Sequence, residues 1–465
     1  MSADEAPGRH PRDHLKVELG LWDATLLVVS GVIGSGIFLT PGAIATQLPH
    51  PGAILLVWLV GGLLSLAGAL ANAELGAMFP RAGGDYVYLR EAFHPAAGFL
   101  VGWLSFFVIY AGTISTLAAG FAAGLDAFVD LSPRGELAVA VTLVVGVSAL
   151  NYVGVRWGAR ANNLTAVVKL GALAAFALLG PLLGSGSAAN LRPLVAGIDA
   201  LSLSAFGLAL SPVLFSYLGW NSSVYVASEI RDPGRNVPRS LFLGVALCTA
   251  IYLLVNAVYL YAIPVDALQT LPNVGEAAAR ALFGAASGTL LALFVLTSIL
   301  GTLNATVLVG PRIAYAMALD RLFFAGVDRA HAVFRTPGVA ILVQAGVATA
   351  ILLLLGSFER ALTYTTFAIL LATMADVAAL FRLRRTQPAR PRPYRAWGYP
   401  LIPLLYFAAN AGVALALLAG RPSECAIGLL MALAGLPFYA LFAARSRRGP
   451  DAGPPTGRAS GRFLS

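Results

Sequence analysis

From residue 21 to residue 444 the chain is a succession of apolar runs, each roughly 20 residues or longer, separated by short polar connections. A helix needs about 20 mainly apolar residues to cross the hydrocarbon core of a bilayer, so each run reads as a membrane span. Twelve runs are counted, at 21–46, 52–79, 92–124, 136–154, 161–184, 201–229, 239–264, 286–317, 338–356, 359–381, 398–419 and 424–444. The first is too long for a secretory leader, has no convincing cleavage site and is followed by further spans. The pattern predicts an all-α polytopic membrane protein. The tails, 1–20 and 445–465, are polar and rich in Pro, Gly and Arg, which predicts no fixed structure. Within 266–282, "VGEAAARALF" predicts a short helix on the outer face.

Two spans are interrupted at their centres. The first reads "VVSGVIGSGIF", with Gly31, Gly34 and Gly36, and the sixth reads "SPVLFSYLGWNSSVYVASEI", with Pro212 ahead of "YLGWNSS". Unwound backbone inside a membrane leaves N–H and C=O groups that only protein or a cavity can satisfy. Small residues for close helix packing are the simpler reading of the glycines. A second break five spans later points instead to paired broken helices, the sequence pointer to a secondary transporter's site. Five is odd, so the second unit runs inverted. This predicts a five-plus-five inverted repeat, 21–184 and 201–381, with two further helices in 398–444.

The breaks carry opposite polarity. The outer half of the first span begins at its break, leaving N–H groups near Ser35, Gly36 and Ile37 for an anion. The outer half of the sixth ends at its break, leaving carbonyls near Phe215, Ser216 and Leu218 for a cation. A carboxylate site beside an ammonium site fits an α-amino acid. "GVIGSG" is not the dinucleotide fingerprint and has no βαβ unit around it. Neither lysine, Lys16 or Lys169, is followed by the Ser or Thr of a phosphate-binding loop.

Charge fixes the orientation. The net charge is +9, yet charged residues are only 11% of the chain, against about 25% in soluble domains. Of the 31 Lys and Arg residues, Arg134, Arg192, Arg280, Arg360 and Arg421 fall outside and Lys169 within a span. All the others fall on the inner segments, which places both termini in the cytoplasm. The basic charge is thus topology rather than a nucleic-acid footprint. Cys248 and Cys425 lie far apart in apolar segments and read as free packed thiols, and the five histidines show no zinc spacing.

Lys169 lies in the otherwise apolar "NNLTAVVKLGALAAF" of the fifth span. Ionisable groups within spans are functional candidates by default, with snorkelling to the interface as the alternative. The chain has only two lysines against 29 arginines, yet its intramembrane cation is a lysine. Buried lysine can lose its proton and arginine effectively cannot, so a proton-handling position needs lysine. Glu74 and Asp376 are expected within reach of the inner interface. Glu229, Arg231, Asp232, Arg235 and Arg239 are expected to form a solvated inner ion-pair network, or alternatively a gate.

Several segments resemble the amino acid–polyamine–organocation permeases: "GVIGSGIFLTPG", "AELGAMFPRAGGDYVYLREAF", "FSYLGWNSSVYVASEIRDPGRNVPRSL", "LNATVLVGPRIAYAMALDRLFF…TPGVAI" and "RPYRAWGYPLIPLLY". They cover most of the chain in order and look closest to the L-type branch and its prokaryotic relatives. The resemblance implies twelve helices, alternating access and amino-acid substrates, with no cofactor and no enzymatic activity. It puts the carboxylate on Ser35 and Gly36, with Gly34 and Ile37 beside them, and the amino group on carbonyls of Val32 and Phe215. The Phe215 ring becomes an outer gate, with Glu229 at the inner one. Relatives often have glycine where this chain has Leu218, which argues against the bulkiest aromatic substrates. Trp220 and Asn221 contact the side chain or brace the break, and Val108, Ile109 and Thr113 supply its pocket. No dedicated carboxylate for a cationic substrate is evident. Proton-dependent relatives have a lysine where Lys169 stands, and sodium-driven cousins hold an ion there. The resemblance therefore implies a sodium-independent carrier, a proton symporter or an exchanger, with Thr302 and Asn304 completing the coupling region. Eukaryotic L-type relatives bind a partner through an external cysteine between the third and fourth spans. Asp126–Glu136 contains none, so no obligatory subunit is implied. A non-transporting sensor and a membrane enzyme are the readings from other classes. Amino acid, proton and bilayer are the expected partners, in a bacterial inner membrane.

Overall fold

The computed structural model describes residues 10–125, 128–195, 197, 202–271, 273–285, 287–355 and 358–447. Among them every extended regular element is a helix, joined by two isolated β-bridges, Leu19 with Ile230 and Ala82 with Val226. Among the described residues nine helices are long and apolar enough to cross a bilayer, and the pair Leu21–Val32 and Gly36–Gln47, bent by 46°, makes a tenth. Two shorter apolar helices, Ser204–Ser216 and Gly338–Leu354, occupy the sixth and ninth runs. These elements fall one for one on the twelve runs of the sequence.

Local chemistry explains the helix starts. Pro51 and Pro133 occupy first-turn positions where no N–H is required. His50 accepts from the N–H of Ala53, and Ser132 from that of Gly135. The fifth span, Val155–Leu183, shows how the spans face two environments. Asn162, Ala166, Lys169, Leu173, Ala177 and Gly180 form a buried stripe at helical spacing, while Leu164, Val167, Leu178 and Leu182 are exposed. The exposed apolar face suits lipid, so Lys169 stands on the side turned to the protein.

The first and sixth spans lie antiparallel at the centre. The half Leu21–Val32 packs on Ser222–Tyr225, and the half Gly36–Gln47 on Leu203–Ser216. The second and seventh spans flank this pair, the eighth packs on the first, third and fifth, and the fifth also packs on the first and seventh. The tenth packs on the second and third, with the eleventh and twelfth around it. Cys248 and Cys425 are both free and buried.

The amino-terminal tail departs from expectation. Residues 10–20 are ordered: Leu15 and Leu19 are buried, and the N–H groups of Glu18 and Leu19 donate to the carbonyl of Glu229. The tail's apolar residues find a groove against the sixth span, which its polar composition concealed. Residues 1–9 and 448–465 lie outside the described residues. The short helix between the seventh and eighth spans is present as Val274–Phe283, capped by Asn273.

Candidate functional site

The first break comprises Ile33, Gly34 and Ser35, and the second runs from Tyr217 to Asn221 before the short helix Ser222–Tyr225. Their backbones touch. A Cβ on Gly31 would lie 2.9 Å from the carbonyl oxygen of Gly219, and one on Gly36 would lie 2.6 Å from Ser216 Oγ. Gly219 also has φ +95°, which side-chain-bearing residues rarely adopt. The glycines therefore serve both readings considered for them, close packing and unwinding.

The N–H groups of Ser35, Gly36 and Ile37 meet no acceptor among the described residues. They stand at the start of Gly36–Gln47, where no intrahelical partner exists. The carbonyls opposite are more occupied than the sequence suggests. The Tyr252 hydroxyl lies 2.9 Å from the oxygen of Val32 and 3.0 Å from that of Ser216, bridging the breaks. The Phe215 carbonyl accepts from the N–H of Leu218. The Val32 carbonyl also accepts from the N–H of Gly34, at 2.9 Å, so both its lone pairs are engaged, while the Ser216 carbonyl retains one for a ligand. Tyr252 was not foreseen, because a tyrosine on the seventh span gives no sequence signal of where its hydroxyl ends.

A cavity of about 170 Å³ lies between the breaks. Val32, Gly34, Ser35, Gly36, Ile109, Thr113, Phe215, Ser216, Leu218, Asn221 and Thr302 line it as expected residues. Tyr110, Tyr225, Ala305, Thr306, Ile369 and Thr373 also line it and were not anticipated. Ile109 and Tyr110 reach the cavity from a π-helical stretch, Leu104–Tyr110, which rotates the rest of the third span. Three expected residues lie elsewhere. Ile37 is fully buried away from the cavity, and Val108 packs with Leu104 and Ala368. Trp220 packs edge-on against Tyr406 at 6.0 Å and does not line the cavity.

Lys169 is fully buried, which excludes snorkelling. Its Nζ donates to the carbonyl of Ile33 at 2.7 Å and to Thr302 Oγ1 at 2.8 Å, with the Ser30 carbonyl at 3.3 Å. Among the described residues no carboxylate pairs with it. The ammonium thus sits among the oxygens of the first break as a bound cation would. Asn304 does not belong to this group. Its amide nitrogen donates to the Gly158 carbonyl and its oxygen accepts from Asn151, tying the fourth, fifth and eighth spans.

Two acidic positions, Glu229 and Asp376, correct the sequence reading. Glu229 is not solvated: it is fully buried and held by Arg312 Nε at 2.7 Å and Nη2 at 2.9 Å. Arg312, counted by sequence among the inner surface charges, is itself fully buried. Glu74 is fully buried too, ion-paired with Arg384 and Arg392 and accepting from the N–H of Ala396. Asp376 does not reach an interface; it is fully buried, accepting from Asn72 Nδ2 at 3.1 Å. Asp85 puts a carboxylate in the cavity wall where none was expected. Gly83 and Gly84, with φ of +105° and +48°, turn the chain to deliver it.

An amino acid permease family model matches residues 19–445. The chain belongs to the amino acid permease family. It is 31% identical over 434 residues to the serine/threonine exchanger SteT of Bacillus subtilis (strain 168), covering 92% of this chain and 98% of that one. It is 30% identical to the b(0,+)-type amino acid transporter 1 of Homo sapiens, covering 92% of this chain and 88% of the relative. To the Homo sapiens Asc-type amino acid transporter 1 it is 29% identical, covering 94% and 84%. As a permease of this family the chain is a multi-pass membrane protein and an amino acid transporter, not an enzyme.

Proposed function

We propose that the chain carries neutral L-amino acids without sodium, by proton-coupled symport through alternating access. The observation that carries this reading is the juxtaposition at the breaks. Unpartnered N–H groups at Ser35 and Gly36 border one cavity with the carbonyls of Val32, Phe215 and Ser216. The helix N-terminus takes the substrate carboxylate, and the carbonyl oxygens take its ammonium. Leu218 and Ile109 offer apolar wall to the side chain, and the Phe215 ring closes the outer side. Lys169 takes the place of a coupling cation at the first break, with Thr302 as its hydroxyl partner. Glu229, paired with Arg312, holds the inner side shut. The carrier sits in a bacterial inner membrane with both termini in the cytoplasm, the arrangement its basic inner segments favour. It needs no partner subunit, and its two five-helix units are 21–184 and 201–381.

Obligate exchange is the second reading, favoured by the likeness to a serine/threonine exchanger. Uptake of radiolabelled amino acids into proteoliposomes, without sodium, tests the proposal. Saturable uptake is expected, and Gly36→Trp abolishes it by filling the space at Ser216. Binding without flux would mark the protein as a sensor instead.

A further inference from the structure

A second ionisable site borders the cavity, and the proposed function does not use it. Asp85 is 1% exposed and Asp376 0%. Asp85 opens the helix Asp85–Ala92 after the second span, Asp376 lies on the tenth span against which that helix packs, and the two carboxyl groups face each other. Asp85 Oδ2 accepts from the Tyr225 hydroxyl, and Asp376 Oδ2 from Asn72. The Oδ1 atom of each receives no donor from the protein. The Tyr88 hydroxyl, on a fully buried ring within the influence of both carboxyls, has no hydrogen-bond partner either.

The groups facing the pair are all formally neutral. They are Asn72 from the second span, Tyr88 from the helix that follows it, and Tyr110 from the third span. Tyr225 faces the pair from the sixth span and Tyr406 from the eleventh. No lysine, arginine or histidine is among them. Buried acids elsewhere in the molecule do have cations: Glu74 holds Arg384 and Arg392, and Glu229 holds Arg312. Two ionised carboxylates facing each other and shielded from water repel, and one shared proton turns the repulsion into a charge-assisted hydrogen bond.

We propose that Asp85 and Asp376 form a proton-binding site that holds one shared proton when the two carboxyls meet and releases it to water when they separate. Asp85 opens onto the cavity, as do Ala372 and Thr373 one turn from Asp376, so water entering the cavity reaches the site. Tyr225 ties the pair to the segment beyond the sixth-span break, so movement of that segment alters the carboxyl contact. The site lies apart from Lys169 and adds a proton carrier of opposite charge type. Its consequence for transport rests on the proposed function; the proton itself does not.

Infrared difference spectroscopy on the purified full-length protein separates the two. The expected result is a carbonyl band of a protonated carboxylic acid near neutral pH, lost in both Asp376→Asn and Asp85→Asn and retained in Lys169→Ala. Two independent variants guard against one failing to fold, and the amide bands report folding in the same spectrum. Absence of the band in the wild type, or its persistence in both Asn variants, overturns the proposal. Loss of the wild-type band on adding lysine or arginine, but not on adding a neutral amino acid, also overturns it, by making the pair a subsite for cationic side chains. In proteoliposomes the pH dependence of uptake is expected to flatten in Asp376→Asn. A band with no transport in any variant leaves the proton site standing and removes the transporter reading.

Discussion

Glu229 and Asp85 are both carboxylates at most 1% exposed, near the end of the molecule where the amino-terminal segment docks, but one faces an arginine and the other faces an acid. Arg312 serves both oxygens of Glu229 in a bidentate pair, so its charge is matched by geometry. Asp85 accepts from a phenol and faces a second carboxyl with no cation between them, the pair proposed above to share a proton. The same contrast holds for Lys169, an ammonium among carbonyls with no carboxylate beside it. Matched charges lock elements together in one state. Unmatched charges at a cavity can change protonation as the cavity is hydrated, which is what coupling requires. Burial alone does not distinguish the two; the partner does.

Breaking a matched pair should produce the largest loss of stability. Arg312→Ala leaves Glu229 buried without a cation and is expected to cost about 3–5 kcal/mol. Thermal unfolding in detergent measures it, and a change under about 1 kcal/mol would mean that the pair is not locked. Asn304→Ala should cost about 1–3 kcal/mol by removing the acceptor of one Asn151 N–H and the side-chain tie to the Gly158 carbonyl. Because Asn304 is a brace and not a proton carrier, the pH profile of the surviving uptake should not move. A shifted profile would return Asn304 to the coupling region. The smallest effect is expected at Tyr252→Phe. Losing the hydroxyl between the carbonyls of Val32 and Ser216 should change substrate affinity by about 1 kcal/mol, roughly fivefold. Competition binding measures that change, and equal affinity in the two proteins would show that the bridge is immaterial to the site.

The spans were legible because lipid demands a length and an apolar composition that no other environment imposes. The breaks were legible because Gly31, Gly34, Gly36 and Pro212 are costly there without a purpose. Lys169 stood out as a lone cation in an apolar run; the buried stripe it shares with Asn162, Ala166 and Leu173 emerged only from the packing. What escaped were contacts between distant positions. Arg312 and Glu229 are 83 residues apart, and Asp85 and Asp376 lie in different segments with no pattern joining them. Asp376 still carried a signal, as an acid within the tenth run, and proximity to the run's end hid it. The π-helical stretch that turns Tyr110 toward the cavity involves ordinary apolar residues, so nothing in composition announces it.

On the proposed function, unmatched ionisable groups beside a broken-helix cavity couple amino acid movement to protons. Accumulation of a labelled neutral amino acid in sodium-free proteoliposomes, driven by an inward proton gradient, tests it most directly. A driving force of about 100 mV supplies about 2.3 kcal/mol per charge, enough for a roughly 50-fold gradient. Proton coupling predicts accumulation in the wild type and its loss in Lys169→Ala. Uptake that ignores the gradient and needs a preloaded amino acid would contradict it, making the protein an exchanger and Lys169 a structural cation.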